Sequence, residues 1–551
     1  MATPSKSAMR SPERRKAAMF EKLDTWQGRL TGVLVILILG IQPLYLNSER
    51  YIDLTWHKFI FFAVYMACIL AAVLVIWVYR ATRNPILSPR GSLTLADWAI
   101  LGFAAVTLIS AIASPFKSAV NVWIGIPEPG GRYDGAITQL LYVAIFLIVS
   151  RWYAPKVRHF TIFGISAALI ALIGILQFYG MDFLNLWPND MPQYHVANFY
   201  NIFFRSTLGN VNIVSTYVCV AVLLCGFLFV RFDAPYGGRR AKVQKRGGAA
   251  PWWHPVLWLG ASALNFWLMD LAGADSGRVG VLVAFVLSIP FIVESLKTLG
   301  KFLILASSWA AVYTLQRLFY EVLVLNSRTA ASLVPYAAAF LVLLIAGIIL
   351  TTRGKARDPQ APVKWLPGVI LIVVCIVVGI AGVEFLGRRY ADAGDTGNII
   401  YQVREVLHGR ISNEFGTNRV YIWKNALKVW PEHPVIGSGP DTFGQVFPAA
   451  AQNFYGETYD KAHNEYIQIL ICQGLIGFLC YLVFLVGAAI KAIPKAFKNP
   501  LVMAVLAAFI GYCAQAFFNI SLPIASQMLW VLAGMLANKG FRETPLKELG
   551  W

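Results

Sequence analysis

The sequence predicts an all-α, polytopic membrane protein of about fourteen transmembrane helices with one large extracytoplasmic loop. Three observations lead there. Of 551 residues, 58% are hydrophobic and only 14% charged, with a mean hydropathy of +0.60, far from the balance of a soluble domain. Apolar runs recur along the whole chain, each near the roughly 20 residues that a helix needs to cross about 30 Å of hydrocarbon. The runs are continuous rather than alternating, which excludes a β-barrel, whose strands alternate between lipid and lumen.

In order, the spans fall at 30–46, 58–79, 95–113, 135–152, 159–179, 211–230, 255–272, 276–293, 302–320, 333–351, 367–386, 465–489, 500–518 and 521–537. They divide the chain into a basic cytoplasmic tail (1–29), eleven helices (30–386), the large extracytoplasmic loop (387–464), three helices (465–537) and a second cytoplasmic tail (538–551). An even number of spans puts both termini on one side. With the N-terminal tail inside, 31 of the 47 basic residues are inner and 16 outer, whereas 9 of the 28 acids are inner and 19 outer. The +19 net charge is therefore an orientation signal of the positive-inside kind. It is no nucleic-acid footprint, because the basic clusters RRAKVQKR (239–246) and RGKAR (353–357) sit in loops already assigned to the cytoplasm. The tail leads into a first helix with no small-residue cleavage site, which reads as an uncleaved anchor. All seven cysteines (Cys68, Cys219, Cys225, Cys375, Cys472, Cys480, Cys513) fall inside spans, a placement that offers neither a disulfide framework nor a metal site.

The polar stretches that suggest chemistry all fall on the outer side: GGRYDG (130–135), RSTLGNVN (205–212), ADSGRVG (274–280), TNRVYIW (417–423), HPVIGSGPDTF (433–443) and AHNEY (462–466). A transporter is expected to keep its working polar groups near the midplane, on broken helices in repeated halves. Neither a clear repeat nor a set of mid-span charges is visible here.

Together these stretches resemble the O-antigen ligase and polymerase superfamily of membrane glycosyltransferases. The likeness is strongest over 417–480, where NRVYIWKNALKVWPEHPVIGSGPDTF leads to KAHNEYIQILICQGLIG. GNVN (209–212), SGRVG (276–280) and GGRYDG resemble the family's upstream motifs, and Cys472 stands where many members have Glu. The resemblance implies a GT-C-like fold acting without metal or other cofactor at the bacterial cytoplasmic membrane. It further implies a donor glycan on a polyprenyl diphosphate, an acceptor hydroxyl on a glycan, lipid or protein, and membrane lipids as surroundings.

The residues suit that chemistry. An attacking hydroxyl must lose a proton, and His463, at the foot of the twelfth span, is the candidate base. Asn464 is a helix cap or sugar contact, and Tyr466 lies one turn on from His463; an interfacial aromatic belt with Asn464 as a cap is the bland alternative. The diphosphate leaving group needs charge stabilisation. Arg278, in the first turn of the eighth span, is the candidate for it, the alternative being an ion pair with Asp275 or Asp270. Arg132 and Arg205 are candidates for the same work, with glycine-rich turns and Asn210 of GNVN beside them. Arg419 opens an amphipathic stripe of Val420, Trp423, Leu427 and Trp430 that stops at Pro431, and GSG (437–439) reads as a turn. Two other classes stay open: a flippase or exporter of lipid-linked oligosaccharide, and a peptidoglycan-type polymerase, which would want an outer-loop carboxylate such as Asp441 or Asp460.

Overall fold

A helix that is apolar on every side has to be buried among other helices or face lipid, and this chain contains both kinds. The computed structural model describes residues 12–83, 93–126, 132–187, 204–231, 253–273, 275–319, 333–355, 365–394, 397–452 and 458–544. Its first helices are α1 (Ala18–Leu44), α2 (Leu54–Arg83), α3 (Leu95–Ala113), the shorter α4 (Ala136–Trp152) and α5 (Val157–Phe178). A minimal antiparallel hairpin, β1 (Phe204–Arg205) with β2 (Gly209–Asn210), leads into α6 (Val211–Arg231). There follow α7 (Trp253–Ala272), α8 (Asp275–Ile292), α9 (Leu296–Phe319), α10 (Val334–Arg353) and α11 (Trp365–Asp392). The large loop carries α12 (Ile399–Leu407) and α13 (Phe415–Val429), and α14 (Glu465–Ala489), α15 (Pro500–Gln515) and α16 (Gln527–Ala537) follow it, with a short helix at Lys539–Glu543 after them.

Among the described residues, twelve helices are long and apolar enough to cross a membrane, and the shorter α4 and α16 occupy the places of the other two expected spans. The chain is thus an all-helical, multi-pass membrane protein. At its centre stands α6, in which every residue from Ile213 to Leu228 is buried, packed against α7, α8 and α15. At the periphery, α11 packs only on α8 and α12 among the helices it meets most. Its Val373, Val377 and Ile380 are exposed, as a lipid-facing surface requires.

Caps fix where helices begin. Thr94 and Asp97 form a reciprocal capping box at α3, and Asn464 caps α14 by accepting from the backbone N–H groups of Tyr466 and Ile467, both at 3.0 Å. The membrane helix α14 is interrupted at Gly474, whose φ of +69° is costly for any residue with a Cβ.

Candidate functional site

The break in α14 positions the site. Residues 434–439, which include the GSG expected to be only a turn, dock on the interrupted helix by backbone hydrogen bonds. Leu475 N–H donates to the Pro434 carbonyl (2.8 Å) and Ile476 N–H to that of Val435 (3.2 Å), while Ser438 and Gly439 donate to Ile471 and Cys472 (3.0 Å each). From α3, Ser110 and Ser114 hydroxyls donate to the carbonyls of Cys472 (2.9 Å) and Ser438 (2.6 Å). The broken helix therefore satisfies its backbone through the loop rather than through lipid, and the loop is carried between α3 and α14.

That docking delivers Asp441 to a buried ionic knot. Its Oδ1 lies 2.6 Å from the Lys461 ammonium, and its Oδ2 accepts from Ile126 N–H at 2.8 Å. A Cβ at Gly125 would lie 2.6 Å from the same Oδ2, so only glycine allows that approach. Lys461 also reaches Asp134 Oδ2 at 3.3 Å. All three residues are buried. Lys461 is held above its ordinary range: burial opposes its charge, but the two carboxylates outweigh burial. Asp134 is pushed up to about 7 by burial, with Lys461 resisting. Next door, Arg132 forks onto Asp460, Nε to Oδ2 at 2.7 Å and Nη2 to Oδ1 at 3.2 Å. Burial raises the Asp460 carboxyl, yet Arg132 and its neighbours hold it below the usual range. Consecutive residues 460 and 461 thus tie the large loop to the α3–α4 loop twice.

His463 follows immediately, with a φ of +48°. Burial is the main cause that lowers its imidazole to about 4; Arg419 and Arg132 add to the effect and Asp460 opposes it. The imidazole is therefore neutral at pH 7. Arg419 is held by a single bond from Nη1 to the Gly416 carbonyl (2.7 Å). Its Nε is buried without a hydrogen-bond partner among the described residues, and burial lowers its pKa. The regular turns of α13 begin at Arg419 because Gly416, Thr417 and Asn418 are left-handed. Its buried residues are Val420, Tyr421, Ile422 and Ala426, with Trp423 and Trp430 packed partly buried on the same cluster; of the stripe expected from helical spacing Leu427, 45% exposed, departs. Trp423 Nε1–H donates to the Ala462 carbonyl (3.0 Å) and so seats α13 against the His463 loop. Tyr133, Thr417, Asn418, Asp441 and His463 all hold positive φ without being glycine. Such strain persists only where surrounding contacts impose it.

Arg205 is 1% exposed, with its guanidinium 5.1 Å from the Phe178 ring centroid. Its Nε and Nη1 have no hydrogen-bond partner among the described residues, and burial lowers it to about 10. The other expected site residues have local partners. Arg278 is partly exposed and paired with Asp270 (2.6 Å) and Asp275 (2.8 Å). Asn210 accepts from Asn212 N–H at 2.9 Å, Asn464 caps α14, and Tyr466 donates to the Cys513 carbonyl at 2.7 Å.

The structure therefore gathers His463, Arg132 and Arg419 into one electrostatic neighbourhood and engages Tyr466 inside the bundle. Lys461, Asp134 and Glu465 have no role in the sequence reading, although all three stand in its motifs, in GGRYDG and KAHNEY. The legible signal was charge in those motifs; the pairing across more than 300 positions was not.

Residues 318–482 match a protein-family model described as O-antigen ligase, which bears out over that stretch the recognition made from the motifs. No curated protein matches the chain.

Proposed function

We propose that this membrane protein, with its O-antigen ligase match, transfers a glycan from a polyprenyl-diphosphate carrier to an acceptor hydroxyl at the outer face of the bacterial cytoplasmic membrane. The observation that carries the reading is a neutral imidazole, His463, in the field of Arg419, whose buried Nε has no hydrogen-bond partner among the described residues. A buried cation without a counter-ion costs several kcal/mol, and an anionic ligand offsets that cost.

In the proposed reaction Arg419, with Arg132 and Arg205, holds the diphosphate and stabilises the charge that develops as its bond to the anomeric carbon breaks. His463 takes the proton from the acceptor hydroxyl as the new glycosidic bond forms. The two roles are coupled. A bound diphosphate offsets the arginine charges that depress His463, which raises its pKa and makes it a stronger base when the donor is in place.

Purified protein in lipid, given a polyprenyl-diphosphate glycan and candidate acceptors, should yield a covalently extended acceptor and free polyprenyl diphosphate by mass analysis. Movement of the lipid-linked glycan across the bilayer with no covalent product would replace this reading with a flippase. The orientation has its own test: with both termini inside, Lys424→Cys should react with a membrane-impermeant thiol reagent in intact cells, and labelling only after lysis would invert the topology.

A further inference from the structure

Beside the Lys461 knot, enclosed by α3, α4, α14, α15 and α16, lies a cavity of about 40 Å³. A water molecule needs roughly 10–15 Å³ by this measure and two or more polar partners, so there is room for a few. Partners are present: Gln473 Oε1 is buried without a hydrogen-bond partner among the described residues, Asp134 Oδ1 and the Tyr142 hydroxyl are buried with only the Ser521 hydroxyl beside their side chains, and all four residues line the cavity.

Three carboxyl groups reach this space, those of Asp134, Asp441 and Glu465. One cation, Lys461, serves them, and it is committed to the first two. The groups that face the cavity from the surrounding helices, among them Phe103, Tyr142, Cys472, Tyr481, Tyr512 and Trp530, include no cation. Glu465 is 5% exposed, and its one hydrogen bond among the described residues comes from the Tyr512 hydroxyl at 3.0 Å. Ionised along with Asp134 and Asp441, it would leave the cavity with two uncompensated negative charges. The N-terminus of α14 favours an anion there, but far more weakly than burial of an unpaired carboxylate opposes it.

We infer that this cavity is a hydrated proton-binding site in which Glu465 remains a neutral carboxylic acid at pH 7 and donates its proton in a hydrogen bond to trapped water. The same water satisfies Asp134 Oδ1. With Glu465 neutral, Lys461 is shared by only two carboxylates and the tie between the outer loops stays closed. The protonation itself does not depend on the glycosyl-transfer reading.

Infrared difference spectra of the purified protein in lipid at neutral pH, recorded without substrate, test it. A component of the carbonyl stretch of neutral carboxylic acids should be present, shift on exchange into D₂O, be lost in Glu465→Gln while any Asp134 component remains, and change frequency in Tyr512→Phe. Glutamine mimics the neutral acid, so Glu465→Gln should keep the wild-type melting temperature. The inference is overturned by absence of the band, by its loss in Asp134→Asn with persistence in Glu465→Gln, by an unmoved band in Tyr512→Phe, or by a clear loss of stability in Glu465→Gln.

Discussion

Arg419 and Arg278 share a neighbour, since Asp275 pairs directly with Arg278 and also acts on Arg419 electrostatically. Their situations are otherwise opposite. Arg278 is partly exposed and meets two carboxylates, with a further bond to the Asp270 carbonyl at 3.2 Å. Among the described residues Arg419 has one carbonyl, a buried nitrogen without a hydrogen-bond partner, and a neutral histidine in its field. A satisfied surface cation gains little by taking an anionic ligand, because it must first give up partners of the same kind. An unsatisfied buried cation gains the whole of its missing pairing. The same contrast separates the carboxylates: Asp460 and Asp441 are each paired to a named cation, whereas Glu465 is not.

The contrast predicts a ranked series. The largest effect belongs to His463→Ala, which should lower turnover by roughly 10²–10⁴-fold while the protein still inserts and binds donor. Near-normal turnover would move the base elsewhere. Arg419→Lys comes next: the charge is kept but the planar fork is lost, so donor affinity and rate should fall together, and full activity would make Arg419 a packing residue.

The charge arrangement also fixes a pH dependence. Because the His463 imidazole is lowered to about 4, the acid limb of kcat/KM should lie well below the ordinary histidine value of about 6.5. Arg419→Gln should move it upward by removing the largest charge that depresses it. The linked stability has a definite sign as well. A histidine depressed in the folded state contributes stability that is present above its unfolded value and lost as pH falls toward about 4. An acid limb at the ordinary position would mean that His463 is solvated in the working protein.

Lys461→Met tests the knot through stability, since it leaves the Asp134 and Asp441 carboxyls buried without their cation. Removing one partner of such a group costs about 3–5 kcal/mol, visible as a lowered melting temperature. Arg278→Lys closes the series with the smallest effect, about 0–1 kcal/mol of stability and little change in activity. A large loss of turnover there would return Arg278 to the diphosphate and erase the contrast.

Hydropathy by itself determined the class and most of the span positions, because a helix in hydrocarbon must close its own backbone hydrogen bonds and so announces itself as a continuous apolar run. Motif residues also marked the neighbourhood of His463, Arg132 and Arg419, and the cap at Asn464 was legible because it acts within one turn. Tertiary structure decided what no local rule reaches. The stripe Val420, Trp423, Leu427 assumed an ideal helix with one outer face, but the buried face was set by the loop that α13 packs against. GSG turned out to dock on α14 because Gly474 opens that helix 35 residues later in the chain. Lys461 finds Asp134 across 327 positions, and Glu465 lacks a cation only once those partners are assigned. Pairing, and the lack of it, is a property of three-dimensional neighbourhoods, and in a buried site it fixes which groups stay charged.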